Sequence, residues 1–190
     1  MAKVSNRQKS SAAEERRALI LEAAKEAFSR YGYSRTSMAD IAAIAHISRP
    51  ALYERFRSKD DVFRSLAEAL MEAAFRSAEA AWPPSAPFGE GLADAILAKD
   101  LEFFRLIHLS QHGAEILAQN AALTADLHDR LQQRFAALVA QRAGRTESAE
   151  LVGRVIANAV EGLKHGAKTE KEFVAAVRRF ARLVAEGVRA

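Results

Sequence analysis

Proline is the residue that most limits what this chain can build. It occurs only at positions 50, 83, 84 and 87, and none follows Phe88. A proline ring breaks the interior of a helix. A long proline-free stretch that is rich in alanine and poor in β-branched residues therefore reads as helix throughout. The expected fold class is all-α. The clearest break is the Pro83, Pro84 and Pro87 cluster between Trp82 and Phe88. Apolar residues recurring with a 3.6-residue period place helices at about 12–31, 38–44, 49–55, 59–80, 88–109, 114–118, 121–141, 147–163 and 170–188. Gly32 and Gly144 stand where two of them stop. Serine or threonine followed three residues later by an acid, the capping-box pattern, occurs at Ser11/Glu14, Ser37/Asp40, Ser58/Asp61 and Thr169/Glu172.

Composition narrows the function. Of 190 residues, 49% are apolar and 27% charged, enough to bury a core and unlike a disordered chain. The absence of cysteine excludes disulfides, thiolate metal sites and a cysteine nucleophile. No apolar run approaches the length of a membrane span. The first 20 residues hold no apolar signal core, so a cytoplasmic protein is expected. Charge is uneven: residues 1–60 hold 12 Lys/Arg against 7 Asp/Glu, and residues 61–190 hold 16 against 17. A basic first third fits a polyanion, with nucleic acid the obvious candidate. There is no GxSxG, no HExxH and no phosphate-cradling glycine loop, so the residues point to no enzyme.

Residues 36–56, TSMADIAAIAHISRPALYERF, are the informative segment. Two short helices joined near Ala45–Ile47 have helix-turn-helix spacing. Ile41, Ile44, Ile47 and Leu52 supply the apolar contacts between them, and Ala42 and Ala45 allow close approach. Pro50 sits in a first turn, where a missing N–H does no harm. The segment fits either an ordinary helical hairpin in a core or a DNA-reading head. The exposed chemistry favours the head: Thr36, Ser37, Ser48, Arg49, Tyr53, Arg55 and Lys59 are donors suited to phosphates or base edges, clustered at helix starts.

From Arg16 to Phe63 the chain resembles the DNA-binding region of the TetR/AcrR family of bacterial transcriptional regulators, in the pattern AAxxxFxxxGYxxTSMxDIA followed by SRPALYxxFxSKxxVF. His46 departs from the pattern, since the family usually has glycine in that turn. The resemblance implies a three-helix DNA-binding domain over residues 1–57, with a larger helical ligand-binding and dimerisation domain over residues 58–190. It implies that Arg49 and Ala51 approach bases, with Pro50 stiffening the helix start. Thr36, Ser37, Ser48, Tyr53 and Lys59 would hold phosphates, and Tyr53 has the competing role of packing its own helix. Phe56 reads as core. Lys3, Arg7 and Lys9 form a basic arm, either a solvated tail or a backbone contact.

The resemblance also implies a homodimer, a double-stranded operator and a small amphipathic or hydrophobic ligand, with no cofactor. Val152, Val155, Ala159 and Leu163 form a stripe on the penultimate helix, and Phe173, Val177, Phe180 and Val184 form another on the last. Both are expected to meet their copies in a four-helix bundle. Expected pocket residues are Leu66, Leu70, Phe104, Ile107, His108, His128, Leu131 and Phe135, with about half of them touching a ligand. His108 and His112 share a helix face at a spacing compatible with a metal, but no third ligand is fixed, and no metal is expected. The helix beginning at Lys59 would carry ligand occupancy to the DNA. The rival reading is a structural or protein-docking DNA-binding role on the same fold without an inducer.

Overall fold

The computed structural model describes residues 2–144 and 149–188, which form eight helices and no strand. They are α1 (Ala2–Tyr31), α2 (Met38–Ile44), α3 (Arg49–Tyr53), α4 (Lys59–Ala81), α5 (Phe88–Leu109), α6 (Gly113–Ala143), α7 (Ala149–Gly166) and α8 (Glu170–Val188). Two differences from the sequence reading have simple causes. No proline or glycine interrupts residues 2–31, so α1 begins at Ala2 and Ser11 lies inside it rather than at its cap. The two helices expected at 114–118 and 121–141 are one, α6, bent at Thr124 (φ −136°, ψ 18°). The bend has satisfied partners. The Thr124 hydroxyl lies 2.6 Å from the Asn120 carbonyl, to which it donates, and an Arg64 N–H donates to the Leu123 carbonyl at 2.7 Å. A side chain inserted into the helical ladder is a recognised cause of a kink.

The expected caps at three helix starts are present. Ser37 and Asp40 form a reciprocal box at α2. Ser58 Oγ accepts from the Asp61 N–H at 3.2 Å at the start of α4. Thr169 Oγ1 accepts from the Glu172 N–H at 3.2 Å before α8. Gly32 ends α1 with φ +79°, a conformation that costs glycine nothing.

Two apolar cores result. The first joins α1, α2 and α3 to the beginning of α4 through Ile20, Phe28, Ile41, Leu52, Phe63 and Leu66, and it recruits Ile116 from α6. The second packs α5, α8 and the rest of α6 and α7 around Trp82, Phe104, Phe135, Val160, Phe173 and Val177. α4 supplies residues to both, about 34 Å of helix at 1.5 Å per residue over its 23 residues. Two ion pairs strap it to α6, Arg64–Asp126 and Arg134–Glu72. The Arg64 guanidinium holds the Asp126 carboxyl down at about 2. Among the described residues no helix is long and apolar enough to cross a membrane.

Candidate nucleic-acid interface and body cavity

The helix-turn-helix geometry follows from three local choices. Ser37 starts α2. The chain then turns through Ala45 and His46, which takes the left-handed conformation at φ +53°, where the resembling family carries glycine. Ser48 caps α3, its Oγ accepting from the Ala51 N–H at 3.3 Å, and Pro50 sits in the first turn. Leu52, wholly buried, is the peg that seats α3 on the first core.

That peg fixes which residues face outward. Ser48, Arg49 and Pro50 are exposed and Ala51 is half-buried. Tyr53 is 53% exposed, so it does not serve as packing for its own helix. Arg49 makes no ion pair or hydrogen bond among the described residues, which leaves its guanidinium available. The Asp40 carboxyl is held below the usual carboxylate range by the Ser37 hydroxyl and N–H and then by the nearby Arg49 charge. Ser37 is exposed, and its hydroxyl is engaged with Asp40 at 2.6 Å. Exposed Arg35, Arg55 and Arg57 flank the same region. Arg35 was absent from the sequence-derived set, and only its place beside Thr36 at the end of the α1–α2 loop marks it.

Two expected phosphate donors sit differently. Thr36 is buried, and its hydroxyl faces inward to the Gly32 carbonyl at 2.6 Å and the Ala27 carbonyl at 3.2 Å, so it braces the loop instead of reaching out. The Lys59 ammonium donates to the Tyr33 carbonyl at 2.8 Å and lies 4.3 Å from the centre of the Tyr33 ring. Both corrections have one cause: both side chains donate to main-chain carbonyls at the end of α1 and in the loop that follows it, Thr36 to Ala27 and Gly32 and Lys59 to Tyr33 and Ser34. Phe56 is core, as expected. The side chains of Lys3, Arg7 and Lys9 lie outside the described residues.

In the second domain a cavity of about 340 Å³ opens between α5, α6 and α7. Of the expected pocket residues, Phe104, Ile107, His108 and His128 line it. The other four expected residues do not. Leu66 belongs to the first core, Phe135 is wholly buried in the second, Leu131 is half-buried away from the cavity, and Leu70 is 37% exposed on α4. The cavity takes no residue from α4; its α6 lining comes from both sides of the bend at Thr124, Leu117 and Asn120 before it and His128 and Asp129 after it. Phe103, Leu117, Asn120, Asp129, Glu161 and Lys164 complete its main surfaces. Spacing within one helix could not reveal them, since they converge from three.

At the cavity floor lies a buried charge cluster. The Lys164 ammonium is 3.0 Å from Asp100 Oδ1 and 2.7 Å from Glu161 Oε1, and the Lys99 ammonium is 2.9 Å from Asp100 Oδ1. Burial opposes ionisation of Asp100, but the Lys99 and Lys164 charges together outweigh it and hold the carboxyl below its ordinary range. Burial likewise opposes the charge on Lys164, and Asp100 and Glu161 outweigh it, so this ammonium is held above its ordinary value. His108 stacks on Phe104 with ring centres 4.3 Å apart, and Phe104 stacks in turn on Phe173. His112 pairs instead with Glu115 at the start of α6, and no group of three metal-binding side chains assembles among the described residues.

The expected dimer stripes divide. Phe173 and Val177 are wholly buried in their own core, and Val152, Leu163, Phe180 and Val184 pack partly against it. Ala159 is half-buried and Val155 is 57% exposed. Leu151 and Leu183, 55% and 59% exposed, extend the open apolar surface of α7 and α8. Phe173 and Val177 therefore point into their own subunit: α8 packs flat on α5, and only one flank of its stripe remains open.

An exposed, capped reading helix on a three-helix head, carried by a separate helical body, defines a helix-turn-helix protein. Residues 20–66 match the family described as bacterial regulatory proteins, tetR family. Over 106 residues the chain is 34% identical to the HTH-type transcriptional regulator YhgD of Bacillus subtilis, covering 54% of this chain and 55% of that protein. Over 127 residues it is 32% identical to the HTH-type transcriptional regulator TtgR of Pseudomonas putida, covering 67% of this chain and 60% of that one. The chain thus matches little more than half the length of these relatives. A tetR-family transcriptional regulator from Streptomyces coelicolor superposes with TM-score 0.65 at 22% identity, over 92% of this chain and 85% of that one. A TetR-like transcriptional regulator from a Rhodococcus species does so with TM-score 0.60 at 23% identity, over 90% and 96%. Over residues 20–66 the chain is thus similar to the tetR family of bacterial regulatory proteins, and the relatives it resembles are named as transcriptional regulators.

Proposed function

We propose that the protein is a cytoplasmic, homodimeric transcriptional repressor that leaves its DNA operator when a small amphipathic molecule enters the body cavity. The observation that carries the DNA-binding part is α3. Its peg Leu52 is buried while Ser48, Arg49, Pro50, Ala51 and Tyr53 stand on the open side, with the Arg49 guanidinium unpaired among the described residues. A free arginine suits the major-groove edge of guanine, and the alanine methyl suits that of thymine. Two heads are needed to address half-sites a helical turn apart. The open apolar flank of α7 and α8, around Leu151, Val155 and Leu183, supports the pairing of two copies.

The cavity supports a ligand-responsive protein over one that only organises DNA, since a docking protein has no use for an open apolar cavity in its body. The coupling route is the first half of α6. Ile116 is buried in the head core while its neighbour Leu117 lines the cavity. Glu115 Oε1 accepts from the Ser34 N–H of the head at 2.6 Å, and hydrogen bonding by Ser34 holds the Glu115 carboxyl below its usual range. A ligand pressing on Leu117 and Asn120 moves the segment that grips the head. A coupling of about 1–3 kcal/mol changes DNA affinity about 5–150-fold, and DNA weakens ligand binding by the same factor.

The test is fluorescence anisotropy with DNA from upstream of the gene against scrambled DNA, across a salt series. Specific binding that disappears in Arg49→Ala, in a protein that sediments as a dimer, supports the reading. Equal affinity for both DNAs, unmoved by Arg49→Ala, rejects sequence reading by α3.

A further inference from the structure

We propose that the body cavity selects a lipophilic organic cation, its protonated amine held by Glu161 Oε2 and the Asp129 carboxylate and its apolar part laid on Phe103, Phe104 and Leu117. The proposal rests on the reading of this cavity as the inducer site and adds the chemistry of the inducer. Hydrogen bonding on the polar wall is unevenly satisfied. Glu161 Oε1 is fully engaged, accepting from the Lys164 ammonium at 2.7 Å and from the Gln132 amide. Its other oxygen, Oε2, has no partner among the described residues. Gln132, outside the cavity lining, donates its amide N–H to Glu161 and so uses up Glu161 Oε1 from behind the wall. Asp129, exposed on the cavity wall, makes no ion pair or hydrogen bond among the described residues. Two anionic acceptors of the wall are thus open, Glu161 Oε2 and the Asp129 carboxylate.

The cationic side of the wall is already spent. Lys164 is buried between Asp100 and Glu161, and Lys99 sits on the far side of Asp100. These four groups neutralise one another, so the carboxylate of Asp129 is the uncompensated charge. An anionic ligand has to pull Glu161 off Lys164 and leave a second carboxylate beside itself. A neutral ligand leaves the open acceptors unpaired in a site that its own apolar part has dried, which is costly. A protonated amine supplies donors to the two open carboxylate groups and the missing positive charge, in charge-assisted hydrogen bonds, the stronger kind. The π faces of Phe103 and Phe104 attract the same cation.

Three probes share one phenylbutyl tail: 4-phenylbutylamine, 4-phenylbutanol and 5-phenylpentanoate, titrated into the full chain by calorimetry at neutral pH. The expected result is that the amine binds about tenfold or more tightly than the alcohol, as one charge-assisted contact requires, with the carboxylate weakest. Asp129→Asn and Glu161→Gln should each lower amine affinity severalfold while leaving the alcohol unchanged. Thermal melts accompany both variants. If Glu161→Gln loosens the Lys164 cluster and melts early, Asp129→Asn, exposed and unpaired, carries the test alone. Alcohol or carboxylate binding as tightly as the amine overturns the cation assignment and leaves the cavity an inducer site of other chemistry. An amine preference unchanged in Asp129→Asn and in a folded Glu161→Gln also overturns it. Silence from all three probes overturns the inducer-site reading itself.

Discussion

Replacing Asp100 by asparagine isolates the energetics of the cluster beneath the cavity. Asparagine keeps the shape and one acceptor oxygen but removes the charge that two buried ammoniums share. At an effective dielectric constant of about 20, a pair at the 3.0 Å separation of Lys164 and Asp100 attracts by about 5–6 kcal/mol before desolvation is counted. Removing one partner of a buried pair costs about 3–5 kcal/mol, because the remaining charge stays buried. Lys164 retains Glu161 and Asn keeps an acceptor, so a loss near the lower end, about 3 kcal/mol, is expected at neutral pH. For a chain of this size that corresponds to a melting temperature about 6–12 °C lower. Urea unfolding followed by circular dichroism at fixed protein concentration measures it.

The pH dependence has a definite sign. The folded carboxyl of Asp100 titrates below its unfolded value, so its contribution is fully present above about pH 4 and is lost as pH falls through the lower folded value. The gap between wild type and variant should persist at pH 5 and close only in stronger acid. The quadruple variant Lys99→Met, Asp100→Leu, Glu161→Gln, Lys164→Met removes every charge of the cluster and should recover most of the loss, since apolar replacements of buried pairs are often neutral or stabilising. A cost below about 1 kcal/mol for Asp100→Asn at neutral pH would refute the view that the cluster is held by mutual charge compensation.

Three further expectations are simpler. Gly113→Ala puts a Cβ 1.9 Å from the Ile107 carbonyl oxygen, a backbone atom that cannot step aside, so the α5–α6 junction must part; a stability loss of about 2–3 kcal/mol in urea is expected, and a neutral result would contradict the close approach. His46→Gly relieves the left-handed turn at φ +53° and should raise stability by up to about 1 kcal/mol, read as a higher melting temperature, with any decrease counting against the strain argument. Thr36→Val strips the hydroxyl from the Gly32 and Ala27 carbonyls and should cost about 1–2 kcal/mol; the salt slope of DNA binding should not change, whereas a flatter slope would restore Thr36 as a phosphate contact.

The amino-acid order by itself determined most of the helices, though not the start of α1 or the unity of α6, because most of their signals are local. Proline placement, the caps at Ser37, Ser58 and Thr169, and the stop at Gly32 each act within a few residues, and α5 and α8 begin and end where the periodicity puts them. The outward face of α3 was legible for the same reason: the helix is five residues long, and once Leu52 is its peg the outward set follows from helical geometry. Legibility failed where a side chain had a choice of partners. Thr36 and Lys59 have the chemistry of phosphate donors, and only the folded loop shows that the Gly32, Ala27 and Tyr33 carbonyls claim them first. The stripes of α7 and α8 fix a face but not what covers it. Packing of α8 on α5 consumed Phe173 and Val177 and left Leu183 outside. The cavity lies furthest from sequence reading. It draws its lining from α5, α6 and α7 at once, and its polar wall joins Glu161, Lys164 and Asp129 across α6 and α7 over Asp100 of α5. A one-dimensional period records which face of a helix is apolar, whereas a cavity is the space that three such faces fail to fill, and that is decided only when they meet.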